Sequence, residues 1–255
     1  MDQPSANTRE PVTMATAACK RCTRHEFTIA QISDLHFGAT EASPGLSERV
    51  IAEVNSLEPD LVIVSGDLTM NGFKTEFLAA KACLDLLACP DVLVIPGNHD
   101  SMNGGYMHFA DIIGPRRSTV SRRGALVVGV DSTQPDLHEG RVGRSQYTWI
   151  EEQLSPAAEL RVVTLHHHLL PIPQTGREQN ICLDAGDVMQ LLLRHEVDIV
   201  LSGHKHVPFA WTLNGLTVVT AGTACSTRLR GVAEPCYNVI HSDGETVTVT
   251  CRPSQ

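Results

Sequence analysis

Five short apolar runs, each closed by residues of metal-binding type, constrain this chain more than any other feature. Phe27 to Ile32 leads into Asp34-Leu35-His36, Leu61 to Val64 into Gly66-Asp67, and Val92 to Ile95 into Gly97-Asn98-His99-Asp100. Arg161 to Leu165 leads into His166-His167-His168, and Val197 to Leu201 into Gly203-His204-Lys205-His206. Runs this short, rich in Val and Ile and stopped by Gly or Pro, read as strands of a parallel sheet buried on both faces. Ligands of such sheets gather beyond the carboxyl ends of the strands, so side chains distant in sequence can meet in one pocket.

Between the runs, Leu46 to Leu57, Glu76 to Leu87, Gln146 to Leu154 and Asp187 to His195 carry apolar residues at helical spacing. The strand, helix, strand rhythm taken alone gives an α/β domain with one parallel sheet. Residues 1–25 read as a flexible tail and residues 26–255 as a single domain, with mobile excursions at 101–123 and 169–186. Beyond Phe209 the helices stop, and Thr217 to Thr220, Tyr237 to His241 and Thr246 to Cys251 alternate as antiparallel strands do.

Composition excludes several classes. With 42% hydrophobic and 19% charged residues, 255 residues suffice for a full core. No run approaches the roughly 18 apolar residues of a transmembrane segment. A formal charge of -9 argues against a broad nucleic-acid surface, which needs clustered Lys and Arg. It leaves room for an anionic substrate, because bound cations supply positive charge locally. The eight cysteines are scattered, which suits a reducing cytoplasm better than a disulfide framework. Cys19 and Cys22 have zinc-knuckle spacing but no second pair, and receive no role.

Each strand end taken singly has an ordinary explanation. Asp34 and His36, two apart on an extended end, point to one side and can grip one ion. Asp67 follows Gly66 and can bridge two cations, or simply start a helix. Asn98 offers a neutral oxygen, and His99 with Asp100 reads as a proton-transfer pair in which the carboxylate orients the imidazole. His204 and His206 repeat the two-apart spacing, and His166, His167 and His168 add three more imidazoles. A lone His is more often packed or solvated than a ligand, but five at two strand ends reverse that prior. A mixed oxygen and imidazole set without thiolate suits Mn, Fe, Zn or Co better than Mg or Ca. Two such ions, about 3.5–4 Å apart, clamp a phosphoryl group and lower the pKa of a water between them.

The ordered set D-x-H, GD, GNHD, H and GHxH over residues 27 to about 210 resembles the calcineurin-like metallophosphoesterase superfamily. The stretch Gly140 to Leu154, with Gly143, Gln146 and Trp149, is most similar to the bacterial class III cyclic-nucleotide phosphodiesterases. The resemblance implies a four-layer α/β/β/α sandwich with two mixed β-sheets in place of the single sheet. It also implies that Asp34, His36 and His206 hold one metal, that Asp67 bridges, and that Asn98, His166 and His204 hold the second. His99 would contact the scissile phosphate and serve the leaving oxygen, with Asp100 behind it. Members commonly read His-His-Pro where this chain has His166-His167-His168. Alignment on the end of the apolar run selects His166 as the ligand and leaves His167 as a supporting or phosphate-facing group.

The function so implied is dinuclear phosphohydrolysis, foremost of cyclic nucleotides or other small phosphodiesters. A nucleotide-linked pyrophosphohydrolase of the UDP-diacylglucosamine type would want a cap, for which only the two short excursions are available. An inactive metal-binding scaffold would have no need of His99. Diesters are expected over monoesters, because only Arg177, Arg228 and Arg230 are placed to help hold a dianion. A small phosphoester is the expected partner, and a homodimer is left open.

Overall fold

The period of two along each strand sorts its side chains into two apolar sets, and both are buried. In the strand Leu61–Ser65, Leu61 and Ile63 fall in one core cluster while Val62 and Val64 fall in another. The protein is described by a computed structural model for residues 10–21, 25–40, 44–173, 175, 180–226 and 234–254.

The elements run β1 (Val12–Ala18), β2 (Phe27–Ile32), α1 (Pro44–Ser56), β3 (Leu61–Ser65), α2 (Lys74–Leu84) and β4 (Val92–Ile95). A 3₁₀ segment (His99–Gly104) then leads into α3 (Gly105–Ile112), β5 (Ser118–Arg122), β6 (Ala125–Gly129), α4 (Arg144–Leu154) and β7 (Leu160–Thr164). The chain ends with α5 (Ala185–Arg194), β8 (Ile199–Ser202), β9 (Phe209–Leu213), β10 (Leu216–Thr220), β11 (Cys236–Ser242) and β12 (Thr246–Pro253).

These strands form two six-stranded mixed sheets, ordered β1-β12-β11-β2-β3-β4 and β5-β6-β7-β8-β10-β9. The single parallel sheet suggested by pattern alone is therefore replaced by the sandwich that the resemblance implied. Ile29, Ile63, Leu93 and Ile95 of the first sheet meet Val127, Val162, Ile199 and Leu201 of the second in a common core. The outer face of the first sheet packs Val62 and Val64 against Val50, Val54, Phe77 and Ala80 of α1 and α2. The outer face of the second packs Val128, Val163 and Val200 against Ile150, Leu154, Val188 and Leu191 of α4 and α5. Each fully buried aliphatic side chain contributes about 1.5–3 kcal/mol relative to exposure.

Three local expectations change. Residues 12–18 are not tail but an edge strand, antiparallel to β12 with Val12 opposite Cys251 and Ala18 opposite Thr246. The ladder hydrogen bonds of the otherwise open β12 edge account for this. Residues 101–123 are not a loose excursion, for they build the end of the 3₁₀ segment, α3 and β5, with Phe109 fully buried against Phe77. β10 runs parallel to β8 and antiparallel only to β9, while β11 and β12 belong to the first sheet. Arg177, Arg228 and Arg230 lie outside the described residues.

Candidate metal centre

The carboxyl ends of β2, β3, β4, β7 and β8 bring Asp34, His36, Asp67, Asn98, His166, His204 and His206 together, all buried. Five of them, Asp34, His36, Asp67, His204 and His206, adopt positive φ between 50° and 73°. This corrects the extended D-x-H end: left-handed turns, which L-residues adopt at a cost, aim these side chains inward. The glycines of the motifs make room. A Cβ on Gly97 would lie 2.1 Å from Asp67 Oδ1, and one on Gly203 would lie 2.5 Å from Asp34 Oδ2.

Ligand-type atoms converge in three overlapping groups: Asp34, His36 and His206; His36, Asp67 and His99; and Asp67, His166 and His204. His206 Nε2 is 3.1 Å from Asp34 Oδ1 and 3.0 Å from His36 Nε2. His36 Nε2 and His166 Nε2 approach Asp67 Oδ2 at 3.8 and 3.3 Å. Asn98 Oδ1 lies 2.8 Å from His204 Nδ1, and His204 Nε2 is buried with no hydrogen-bond partner. Ring nitrogens and carboxylate oxygens crowded this closely, with a buried nitrogen left over, fit divalent cations.

Charge points the same way. Burial works against ionising Asp34 and Asp67, yet His206 beside the first and His166 beside the second hold both carboxyls below their ordinary value. Burial likewise opposes a proton on His166, but Asp67 and Asp34 prevail and lift it to about 9. His36 is pushed down to about 4 and His167 to about 3, both chiefly by burial, and His204 well below its ordinary value for the same reason. Two buried carboxylates thus sit in a cluster where His36, His167 and His204 are held neutral by burial, an arrangement that added positive charge would compensate.

The surrounding contacts distinguish the neighbouring histidines. His166 donates from Nδ1 to the Ser65 carbonyl at 2.8 Å, which leaves Nε2 facing Asp67. His167 has Nδ1 at 2.8 Å from Ser132 Oγ and Nε2 at 3.1 Å from the His138 carbonyl, so both its nitrogens are engaged away from Asp67. His168 stacks on His204 with ring centroids 5.8 Å apart.

Asp100 does not orient His99. Its carboxylate accepts from the amides of Leu68, Thr69 and Gly97 at 2.9–3.1 Å and from Thr69 Oγ1 at 2.8 Å. It therefore ties the β3 turn to the β4 turn. Burial, aided by the charge of Asp67, pushes it up to about 6. His99 instead donates from Nδ1 to the Met70 carbonyl at 2.6 Å, and its backbone amide donates to Asp67 Oδ1 at 2.9 Å.

Sequence reasoning passed over His138 and Thr223. His138 is exposed, places Nδ1 3.0 Å from Asn98 Nδ2, and sits 5.7 Å from the His99 ring. Thr223 Oγ1 donates to the Asp34 carbonyl at 2.7 Å. Neither belongs to a spaced motif, and only a histidine just ahead of Gly140 in a polar loop hinted at the first.

Known proteins resemble this chain in sequence and fold. A probable cyclic nucleotide phosphodiesterase of Synechococcus sp. is 28% identical over 193 residues, covering 71% of this chain and 74% of that protein. A cAMP/cGMP dual specificity phosphodiesterase of Mycobacterium tuberculosis is 24% identical over 257 residues, covering 90% and 80%. Among solved structures, a purple acid phosphatase from yellow lupin seeds superposes with a TM-score of 0.69 at 15% identity over 92% of this chain, which spans 52% of that one. The calcineurin-like phosphoesterase model matches residues 27–208, from the first residue of β2 to just past His206, so it spans all seven converging side chains. A family match over that length, around a buried cluster fit for divalent cations, makes this chain a member of the calcineurin-like phosphoesterases and a metallophosphoesterase.

Proposed function

We propose that the protein is a dinuclear phosphodiesterase acting on cyclic nucleotides or similarly small phosphodiesters. The observation that carries this reading is that Asp67 belongs to two ligand groups, with His36 and His99 in one and His166 and His204, beside Asn98, in the other, while His36 also joins Asp34 and His206. Asp34, His36 and His206 would hold one ion, Asn98, His166 and His204 the second, and Asp67 both. Bound there, the pair supplies Lewis acidity toward the phosphoryl oxygens and an activated water.

The chain's own residues do the rest. The Met70 carbonyl fixes the His99 ring through Nδ1–H, and in the imidazolium form Nε2 would donate to a phosphoryl oxygen and pass its proton to the leaving alkoxide. His138 meets Asn98 at 3.0 Å and sits beside the His99 ring. Burial holds His167 neutral, and Ser132 and the His138 carbonyl fix its ring, so that it supports the ligand layer.

A diester carries one negative charge, and imidazoles with a carboxamide suffice to hold it. Arg116, which precedes β5, is committed to Asp131 at 2.6 Å and Thr133 at 3.0 Å. The names of the two phosphodiesterase relatives support the same substrate class. A reducing compartment belongs to this reading, since the eight cysteines are scattered rather than set in a disulfide framework. Among the described residues no helix is long and apolar enough to cross a membrane.

Steady-state comparison of bis-aryl and mono-aryl phosphates, then of 3′,5′-cyclic nucleotides, at fixed Mn²⁺ tests the proposal. A higher kcat/KM for diesters is expected. Preference for the monoester would move the assignment to a phosphomonoesterase.

A further inference from the structure

Cys236 and Cys251 lie outside the metal centre and serve nothing described so far. In the β11/β12 ladder Cys236 is opposite Pro253 and Asn238 is opposite Cys251, so the two cysteines are diagonal neighbours on one face of the sheet. Both line a single cavity of about 320 Å³ walled by Met14, Pro208 and Pro235. Cys236 is buried and Cys251 half-buried. The Cys236 thiol donates to the Cys251 sulfur, which holds Cys251 below its ordinary value, while that contact together with burial pushes Cys236 up. An accessible, more acidic thiol beside a buried one is the usual order of attack and resolution in dithiol chemistry.

We propose that Cys236 and Cys251 form a redox-active dithiol that closes reversibly to an intramolecular disulfide, with a low-molecular-weight disulfide as oxidant. The Cys251 thiolate attacks one sulfur of the oxidant, forming a mixed disulfide and releasing one small thiolate. Cys236 then attacks the Cys251 sulfur, the protein disulfide forms, and a second small thiol leaves with the proton of Cys236. One oxidant disulfide is reduced to two thiols as two protein thiols are oxidised.

Diagonal neighbours sit about 7–8 Å apart, just beyond the roughly 7 Å that a disulfide spans without backbone movement. The bond therefore draws the strands together, and its strain keeps it reducible. The movement has a route to the site. The Cys236 amide donates to the Thr223 carbonyl at 2.9 Å, Thr223 Oγ1 donates to the Asp34 carbonyl, and the Ala224 amide donates to the Ser33 carbonyl at 3.0 Å. Gly222 packs so closely that a Cβ there would lie 2.4 Å from Cys236 Sγ. Pro208, in the cavity wall, follows His206 by two residues. Oxidation thus displaces the segment that steadies Asp34 and lowers turnover, a consequence that rests on the phosphodiesterase reading, whereas the bond itself does not.

The test incubates the native protein in glutathione redox buffers, quenches with an alkylating agent, and maps peptides by mass. A Cys236–Cys251 linked peptide that dithiothreitol dissolves, with native thiol count falling by two, is expected. Cys251→Ser should abolish the link, and Cys236→Ala should trap glutathione on Cys251. Linkage of either cysteine to another partner, or no link under buffers that oxidise free dithiothreitol, overturns the proposal. Turnover of a bis-aryl phosphate should fall several-fold on oxidation and recover on reduction in wild type but not change in Cys251→Ser. An oxidised, linked protein with unaltered turnover overturns the coupling and leaves the bond standing.

Discussion

The two sheets feed the metal centre with different chemistry. The strand ends of the first deliver both carboxylates, Asp34 and Asp67, with His36, Asn98 and His99, while those of the second deliver only imidazoles, His166, His167, His204 and His206. The halves also differ in how they are held. Carboxylates of the first half are pinned by amides, Asp34 by His204 N–H across the seam at 3.1 Å and Asp67 by His99 N–H. Imidazoles of the second half are pinned through their own ring nitrogens, by Ser65 across the seam for His166 and by Ser132 for His167. The Gln31 side chain adds a further bridge to the Ser202 carbonyl at 3.0 Å. The first half supplies both carboxylates and the second supplies imidazoles, and two of the three candidate ligand groups draw on both halves.

Removing the charge should do the greatest harm. Asp67→Ala is expected to lose both metal ions and at least about 10³-fold in turnover, because Asp67 belongs to two of the three ligand groups and would bridge the ions. Elemental analysis of the purified variant decides, and full metal occupancy would end the dinuclear model. Next comes His99, to which the proposal gives a proton-transfer part rather than a metal. His99→Ala should keep its metals and lose roughly 10² to 10⁴ in kcat, less for substrates with good leaving groups. Equal losses on an activated aryl ester and an alkyl ester would rule out proton donation.

Within the second half, His166→Ala should empty one metal site, whereas His167→Ala should weaken metal affinity or rate by about 10- to 100-fold, as for groups that orient ligands. Metal titration of both variants separates the two registers. The smallest effect concerns the outer layer of the second sheet, where Asp184 accepts from the Val142 and Gly143 amides at 3.0 and 2.7 Å and from Tyr147 Oη at 2.8 Å. Burial would raise this carboxyl, but those donors outweigh it and hold it below its ordinary value. Its contribution is therefore complete above about pH 4 and is lost as pH falls through the lower folded value. Asp184→Ala should cost about 1.5–3 kcal/mol at neutral pH, and urea melts at decreasing pH should show the deficit shrinking. A deficit independent of pH would contradict the ionised-acceptor role.

The site was more legible in the sequence than the layers around it. Every converging ligand stood at the end of an apolar run, because a strand end is where a buried chain can first expose a polar group. The second sheet was not legible, since a strand such as Leu61–Ser65 is apolar on both faces whether helices or another sheet cover them. Adjacency misled at His99 and Asp100, where the 3₁₀ turn sends consecutive side chains apart and a backbone carbonyl takes the orienting part. β1 was missed because Val12–Ala18 is half exposed and gains its place only from the distant strand β12.

The left-handed turns at Asp34, His36, Asp67, His204 and His206 carry a consequence for how such a protein changes over time. Each position would relax with glycine, by about 1 kcal/mol, and asparagine also tolerates that conformation. Drift toward the more stable sequence therefore runs toward loss of ligands with the fold preserved, so catalysis persists here only under continuous selection against a stability gradient.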